Sequence, residues 1–186
     1  MPARRMLRLR RTAFSLALLA VAGNSRLPFA QSVGQLHLTS PSFSGAIPDR
    51  YASCNGRRGN SPALVWDAPP ASTRSFALVV TDPDAPLETF THWLLWNVPA
   101  GTRSLPESVP AQPQLPSGAR QGRNDFGNIG YGGPCPPGRS GHRYVFDLYA
   151  LDIALSLAPG ASKRQLLEAL HGHIVAAGEL VGRYPR

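Results

Sequence analysis

The chain has 186 residues, enough for one domain with its own core, and 19 basic against 11 acidic residues give a formal net charge of +8. Five arginines lie within residues 1–22, which contain no acid, so the remainder carries 14 basic and 11 acidic residues, a net charge of +3. A nucleic-acid-binding domain would keep a clustered basic face. We interpret Arg57-Arg58 as part of a solvated loop rather than a phosphate-binding site, and we expect no nucleic-acid partner.

The N-terminus has the pattern of a secretory signal peptide. Its five arginines precede the apolar run AFSLALLAVA at residues 13–22, which is too short to span a bilayer core of about 30 Å. Ala20-Val21-Ala22 supplies the small-x-small pattern that signal peptidase recognises. We therefore predict a signal peptide at residues 1–22, a mature domain at residues 23–186, and a periplasmic or secreted location. Cleavage after Ala30, or an N-terminal helix that is kept, are the alternatives.

Five short apolar runs predict β-strands. They are rich in Val, Leu and aromatic residues and are bounded by Pro, Gly and Asp. They lie at residues 35–39, 63–66, 75–81, 92–98 and 143–151. The runs FALVV and WLLW are apolar at every position, so their strands should be covered on both faces, as inside a β-sandwich. In the last run, alternation places one set of side chains on a common face: His142, Tyr144, Phe146 and Leu148.

A long segment without hydrophobic periodicity separates the fourth and fifth runs. Residues 99–141 contain eight prolines and nine glycines, and a loop of this length is usually a linker or a functional element. Its second half, GRNDFGNIGYGGPCPPGRSGH, mixes aromatic, amide and acidic residues with glycines that allow close backbone approach. We interpret this half as a folded binding loop; an irregular connection is the alternative.

Only the C-terminal segment predicts a helix. Ser162 is a candidate N-cap, Gly182 is a candidate terminator, and apolar residues recur between them at helical spacing. These residues are Leu166, Leu170, Ile174 and Ala177. Several strands followed by one or two helices indicate a mainly β domain with a helical appendage.

The chain contains two cysteines, Cys54 and Cys135. Outside the cytoplasm they are candidates for one disulfide bond that closes a long loop, and a pair of free thiols is the alternative. They have no CxxC spacing, so they do not predict a zinc site. His171 and His173 would not share a face of the predicted helix, so a metal site is not indicated there either.

Two polar clusters flank the apolar strands at 75–81 and 92–98. In TDPDAP, at residues 81–86, Asp82 and Asp84 are held at a strand end, because Pro83 has no N–H for a ladder. A proline-fixed turn with two solvated carboxylates is the alternative. His92 opens the next strand. We expect this hairpin-like order to bring Asp82 beside His92 and to favour the charged imidazolium.

A third cluster follows the glycine- and proline-rich loop. His142 and Tyr144 lie two apart on a strand and therefore point to the same side. The loop before them can present backbone N–H groups to an anion. Together the clusters supply imidazole, phenol, carboxylate and backbone donors, which suit a small phosphoryl or carboxylate ligand.

The order of these motifs resembles the phosphatidylethanolamine-binding (Raf kinase inhibitor-like) family. DPDAP is followed by HW, then by GPCPP, HRYVF and LYALD. IPDRYASCNG, NSPALVWDAPP and NDFGNIGYGGPCPP, together with GHIVAAGELVG read as a C-terminal helix, resemble its bacterial branch in particular. The resemblance extends from about residue 36 to residue 184 and implies two antiparallel sheets, β-sandwich-like, with C-terminal helices and no metal or cofactor.

The resemblance also implies the binding site. The family's anion pocket maps onto Asp82, His92, His142 and Tyr144, and its wall onto Gly133, Pro134 and Pro136. Tyr184 has no secure counterpart among the family's pocket residues. We therefore expect a non-enzymatic protein that binds a small anionic head group, which is lipid-derived in one version of the hypothesis.

Two other functions stay open at this point. One is inhibition of an extracytoplasmic partner enzyme such as a protease. The other is an enzyme that uses Asp82–His92 as a general base, although the chain has no nucleophile in a GxSxG motif.

Overall fold

The computed structural model describes residues 33–54, 56–137 and 140–185, so the predicted signal peptide lies outside the described residues. Within them the chain forms a six-stranded and a three-stranded sheet, as expected for a mainly β domain. The strands are β1 (Gly34–Gln35), β2 (Leu38–Thr39), β3 (Leu64–Trp66), β4 (Ser75–Asp82), β5 (Phe90–Pro99), β6 (Ser104–Leu105), β7 (Arg120–Gln121), β8 (His142–Leu151) and β9 (Ile174–Tyr184). A 3-10 turn, Asp49–Tyr51, and helix α1, Lys163–Leu170, complete the regular structure there.

Strand β4 lies in the middle of the larger sheet, whose order is β1-β9-β8-β4-β5-β7. It pairs antiparallel with β5 on one side and with β8 on the other. From Ser75 to Val80 every side chain of β4 is buried, and so is every side chain of β5 from Thr91 to Trp96. The expectation that these two strands are covered on both faces is therefore confirmed.

The smaller sheet covers one face of the larger one. Its order is β2-β3-β6, and its apolar side chains join the main core between the two sheets. Trp66 of β3 packs edge-on against Phe76 of β4, with 5.3 Å between ring centroids. The alternation predicted for β8 is also observed, because Tyr144, Phe146 and Leu148 all point into this core.

Helix α1 covers the opposite face of the larger sheet. Ser162 caps it as predicted: its Oγ accepts the N–H of Gln165, and the Gln165 side chain accepts the N–H of Ser162. Leu166 and Leu170 then pack in a second core with Val79 and other buried residues of β4 and β5. Among the described residues, no helix has both the length and the apolar character needed to cross a membrane.

The structure corrects the predicted extent of the C-terminal helix. Helix α1 ends at Leu170, and the chain continues as strand β9, so Ile174, Ala177 and Gly182 are not helical. Gly172 has a φ of 81°, a left-handed conformation that glycine adopts easily and that turns the chain out of the helix.

Tertiary pairing explains why the helical spacing of these residues is misleading. Strand β9 pairs with the whole of β8, from His142 opposite Tyr184 to Leu151 opposite Ile174. Without β9, the N–H and C=O groups along that edge of β8 would lack partners. The backbone of β9 also lies against the carbonyl of Leu36 at Gly178, where a Cβ would overlap that oxygen.

Two further differences concern short strands. The predicted strand at 35–39 divides into β1, which pairs in parallel with β9, and β2, which joins the smaller sheet. The chain passes between the two sheets at Leu36 and His37, which are not in either strand. The segment 99–141 contains β6 and β7, which its composition did not reveal.

Asp147 of β8 lies directly opposite Glu179 of β9, and this pair predicts a pH-dependent stability. Burial, followed by the negative charge of Glu179, raises the pKa of Asp147 to about 6. In the unfolded chain an aspartate has a pKa of about 3.9, so the fold favours the protonated carboxyl. Its contribution to stability is therefore complete below about pH 4 and is lost as the pH rises through about 6.

We expect Asp147→Asn to raise the free energy of unfolding by about 1 kcal/mol at about pH 8, because the half-buried side chain is partly screened by water. Below about pH 4 the same substitution should have almost no effect. Urea denaturation of the two proteins at both pH values measures the difference. An equal effect at both pH values would contradict the raised pKa assigned to Asp147.

Candidate functional site

Asp82, at the end of β4, and His142, at the start of β8, form a buried pair. The His142 Nδ1–H donates to Asp82 Oδ2 at 2.7 Å, and the two residues are only 6% and 4% exposed. Asp82 Oδ1 also accepts the N–H of Asp84 at 2.9 Å. The register of β4 and β8, in which Thr81 lies opposite Val145, brings these two strand ends together. Both carboxylate oxygens of Asp82 are therefore occupied within the protein.

The expected pairing of Asp82 with His92 is wrong. The Nδ1–H of His92 instead donates to the carbonyl of Gly132 at 2.6 Å, and the N–H of Gly132 donates to the carbonyl of His92 at 2.9 Å. The loop at Gly132 thus lies along β5, and its carbonyl, rather than the Asp82 carboxylate, accepts the hydrogen bond from His92. In the antiparallel register of β4 and β5, Asp82 lies opposite Phe90 and not opposite His92.

The charge expected on His92 is also corrected. Burial lowers the pKa of His92 below its ordinary value, although the Gly132 carbonyl and the nearby charge of Asp82 act in the opposite direction. A carbonyl oxygen can only accept, so the proton of the neutral ring lies on Nδ1. The other ring nitrogen, Nε2, is then an acceptor.

Tyr144 carries a buried hydroxyl that no other group in the described residues satisfies. The side chain is 1% exposed, and its Oη makes no well-formed hydrogen bond among them, although the Cys135 N–H and the Asp82 carboxylate both lie close enough to influence its pKa. Burial, followed by the negative charge of Asp82, raises the pKa of Tyr144 well above its usual range, so the hydroxyl keeps its proton. A buried donor without a partner is costly, and a ligand oxygen would satisfy it.

A cavity of about 200 Å³ brings three of the four predicted binding residues together. Asp82, His92 and Tyr144 line it, while His142 lies behind Asp82 and holds its carboxylate. The rest of the wall is largely apolar and consists of Ala85, Pro86, Phe90, Phe126, Cys135 and Pro137. A small number of polar groups in an apolar cavity is typical of small-molecule sites.

Sequence reasoning missed the aromatic part of this wall. The rings of Phe90 and Phe126 meet edge to face at 4.7 Å, and the His92 ring lies 5.4 Å from Phe126 and 5.0 Å from Tyr144. Phe90 could have been found, since it lies two residues before His92 on one strand and so shares its face. Nothing local in the sequence indicates where Phe126 lies.

Side-chain hydrogen bonds within the glycine-rich loop fix Phe126 at the cavity. The amide of Asn124, which is 2% exposed, accepts the N–H groups of Phe126 and Asn128 and donates to the carbonyl of Gly130. The carboxylate of Asp125 accepts the N–H of Thr91 on β5 at 2.6 Å. The segment is thus a folded loop, as its composition indicated.

The predicted wall residues Gly133, Pro134 and Pro136 do not line the cavity. The N–H of Gly133 donates to Ser53 Oγ at 2.7 Å, and the carbonyl of Pro134 accepts the N–H of Ser53 at 2.9 Å. These contacts attach the loop to the segment around Ser53. The N–H groups of Gly132 and Gly133 are both used within the protein, so the expected backbone anion site does not form there.

Cys54 and Cys135 form a disulfide bond in the structure, with their Cα atoms 5.2 Å apart. This distance lies in the usual range for a disulfide. Cys135 lines the cavity, whereas Cys54 belongs to the segment after the 3-10 turn. The bond therefore joins the cavity wall to that segment.

Two further polar contacts border the site without entering it. Asp84 accepts from the backbone N–H and the guanidinium of Arg143, and these hydrogen bonds hold the pKa of Asp84 well below its usual range. The hydroxyl of Tyr184 donates to Asp49 at 3.1 Å. Tyr184 is not among the residues that line the cavity.

Within the described part of the chain, no three His, Cys, Asp or Glu residues are grouped as metal ligands.

Curated relatives cover most of the described domain. A UPF0098 protein of Methanothermobacter thermautotrophicus is 50% identical over 143 residues, which are 76% of this chain and 92% of the relative. A UPF0098 protein of Chlamydia trachomatis is 41% identical over 158 residues, which are 81% of this chain and 99% of the relative.

Solved structures share the fold. A phosphatidylethanolamine-binding protein homologue from Chlamydia trachomatis aligns with a TM-score of 0.73 at 41% identity, covering 82% of this chain and 99% of that one. E. coli YbcL, described as a new member of the mammalian family, aligns with a TM-score of 0.74 at 34% identity and the same coverage. The phosphatidylethanolamine-binding protein family model matches residues 39–185, and this chain belongs to that family.

Proposed function

We propose that the cavity binds a small anionic head group, phosphoryl or carboxylate, without catalysing a reaction on it. Members of this family generally bind ligands and are generally not catalysts. The observation that carries the proposal is the Tyr144 hydroxyl, a buried donor without a partner at the wall of the cavity. An anionic oxygen is a strong acceptor for such a donor.

Asp82 stands near the proposed anion, but both of its carboxylate oxygens already accept hydrogen bonds within the protein. The His142 Nδ1–H occupies Asp82 Oδ2, and the N–H of Asp84 occupies Oδ1. The carboxylate thus serves to orient His142 and to close the floor of the cavity. It is not placed as a base beside His92, so the alternative of an Asp82–His92 enzyme loses its geometric support.

His92 makes the proposed binding depend on pH. Its lowered pKa leaves the ring uncharged in the free protein at neutral pH, with Nε2 an acceptor that opposes an anionic oxygen. At lower pH the protonated ring becomes a charged donor. We therefore expect a phosphoryl head group to bind more tightly at about pH 5.5 than at about pH 8.

Tyr144→Phe should weaken binding of phosphoethanolamine by about 1–3 kcal/mol, since it removes one hydrogen bond to a charged group. The fold should not suffer, because the lost hydroxyl has no protein partner. Isothermal titration calorimetry at both pH values measures the affinities. Tyr184→Phe is the matched control, because its hydroxyl bonds Asp49 outside the cavity. Equal affinities of Tyr144→Phe and the unchanged protein would contradict the proposal that the Tyr144 hydroxyl binds the ligand.

We also propose that residues 1–22 are removed on export, from the arginine-rich, acid-free leader and its small-x-small site. The intact mass of the protein isolated from its own cells tests this proposal. A chain that begins at Gly23 is the expected result, and a full-length cytoplasmic chain would contradict it.

A further inference from the structure

The loop at residues 56–59, here called the arginine loop, presents two free positive charges beside the head-group cavity. Arg57 and Arg58 are exposed, and within the described part of the chain neither guanidinium has an ion-pair or hydrogen-bond partner. Asp49, which shares Tyr184 as a neighbour with Arg57, accepts the Tyr184 hydroxyl instead.

The two arginines border a second cavity. It has a volume of about 250 Å³, and Arg57, Arg58, Asn128 and Tyr131 are among the residues that line it. Phe126 lines this cavity and also the head-group cavity, so the two cavities share one wall residue. A ligand long enough to extend past Phe126 would therefore place a second group in the cavity that Arg57 and Arg58 line.

The arginine loop is fixed to the wall of the head-group cavity. Ser53 Oγ accepts the N–H of Gly59 at 3.1 Å and that of Gly133 at 2.7 Å. The disulfide between Cys54 and Cys135 attaches the start of the loop to the wall itself. Because both connections are short, the loop is held at a defined place rather than extending freely into solvent.

We propose that the arginine loop is a second anion subsite, and that the ligand is a small molecule with two anionic groups, one in each cavity. This inference rests on the proposed function of the first cavity. It also reverses the interpretation of Arg57-Arg58 as a merely solvated pair. Guanidinium groups bind phosphoryl and carboxylate oxygens in paired geometry, and among the described residues no acid forms an ion pair with Arg57 or Arg58.

Two ligand series test the subsite by calorimetry. Alkane bisphosphonates of graded length carry two anionic ends, and alkyl monophosphonates of the same lengths carry one. At the length that fits, we expect the bisphosphonate to bind about tenfold more tightly than its monophosphonate partner. Arg57→Gln/Arg58→Gln should abolish this advantage and leave monophosphonate affinity unchanged.

A charge-matched control is available in Arg74→Gln/Arg164→Gln, since both arginines are exposed and line neither cavity. This variant should keep the full advantage of the bisphosphonate. The inference alone is overturned if monophosphonates bind through Tyr144 but no bisphosphonate gains, or if both double variants lose the gain equally. If neither series binds, the proposed function and this inference both fail.

Discussion

Cys54→Ser/Cys135→Ser lowers the free energy of unfolding by about 4–5 kcal/mol in the chain-entropy description of disulfide stabilisation. The bond joins residues 81 positions apart in the chain, so its loss frees a long loop in the unfolded state. In the folded state the double substitution also removes the covalent connection between the cavity wall and the arginine loop. Urea denaturation of the oxidised protein and the double variant measures the loss.

Reduction of the unchanged protein supplies the control for this prediction. It should lower the free energy of unfolding by about as much as the double substitution, whose serines are near in size to the thiols. An oxidised protein no more stable than the double variant would show that the disulfide does not stabilise the fold.

Asp82→Ala should destabilise the domain by about 2–4 kcal/mol, because it leaves two buried donors without a hydrogen-bond acceptor. The substitution leaves the Nδ1–H of His142 and the N–H of Asp84 without their acceptor. Both Asp82 and His142 are almost fully buried, so water cannot easily replace the lost carboxylate. Thermal and urea unfolding of the variant measure the effect.

Asp84→Ala is the matched control, two residues along the same turn. Its carboxylate also accepts hydrogen bonds, from Arg143, but both side chains are partly exposed and water can replace the contact. We expect a much smaller loss for Asp84→Ala than for Asp82→Ala. Similar losses would mean that burial of the Asp82–His142 pair does not matter for the fold.

Local hydrophobic pattern was sufficient to predict the central strands. The runs FALVV and WLLW are apolar at every position, and β4 and β5 are buried on both faces accordingly. Pattern failed for β9, because Ile174 and Ala177 continue the spacing of α1 by coincidence. The segment forms a strand because it pairs with the edge of β8, and this long-range pairing cannot be seen from the C-terminal sequence alone.

In the site, too, the sequence predicted which residues come together but not the long-range contacts that decide their hydrogen-bond partners. Asp82, His92 and Tyr144 meet at one cavity, as the order of their motifs implied. Their partners were assigned wrongly, because the choice between His92 and His142 for Asp82 depends on the return of Gly132 along β5. That return is a long-range contact of 40 positions, and no local signal encodes it.

A crystal structure of the protein with phosphoethanolamine tests the central claim most directly. In crystals grown at about pH 5.5, where the His92 ring can be protonated, the proposed function predicts the phosphoryl group inside the cavity, with an oxygen within hydrogen-bond distance of Tyr144 Oη and another facing His92 Nε2. A phosphoryl group bound elsewhere, with only water at Tyr144 Oη, would contradict it.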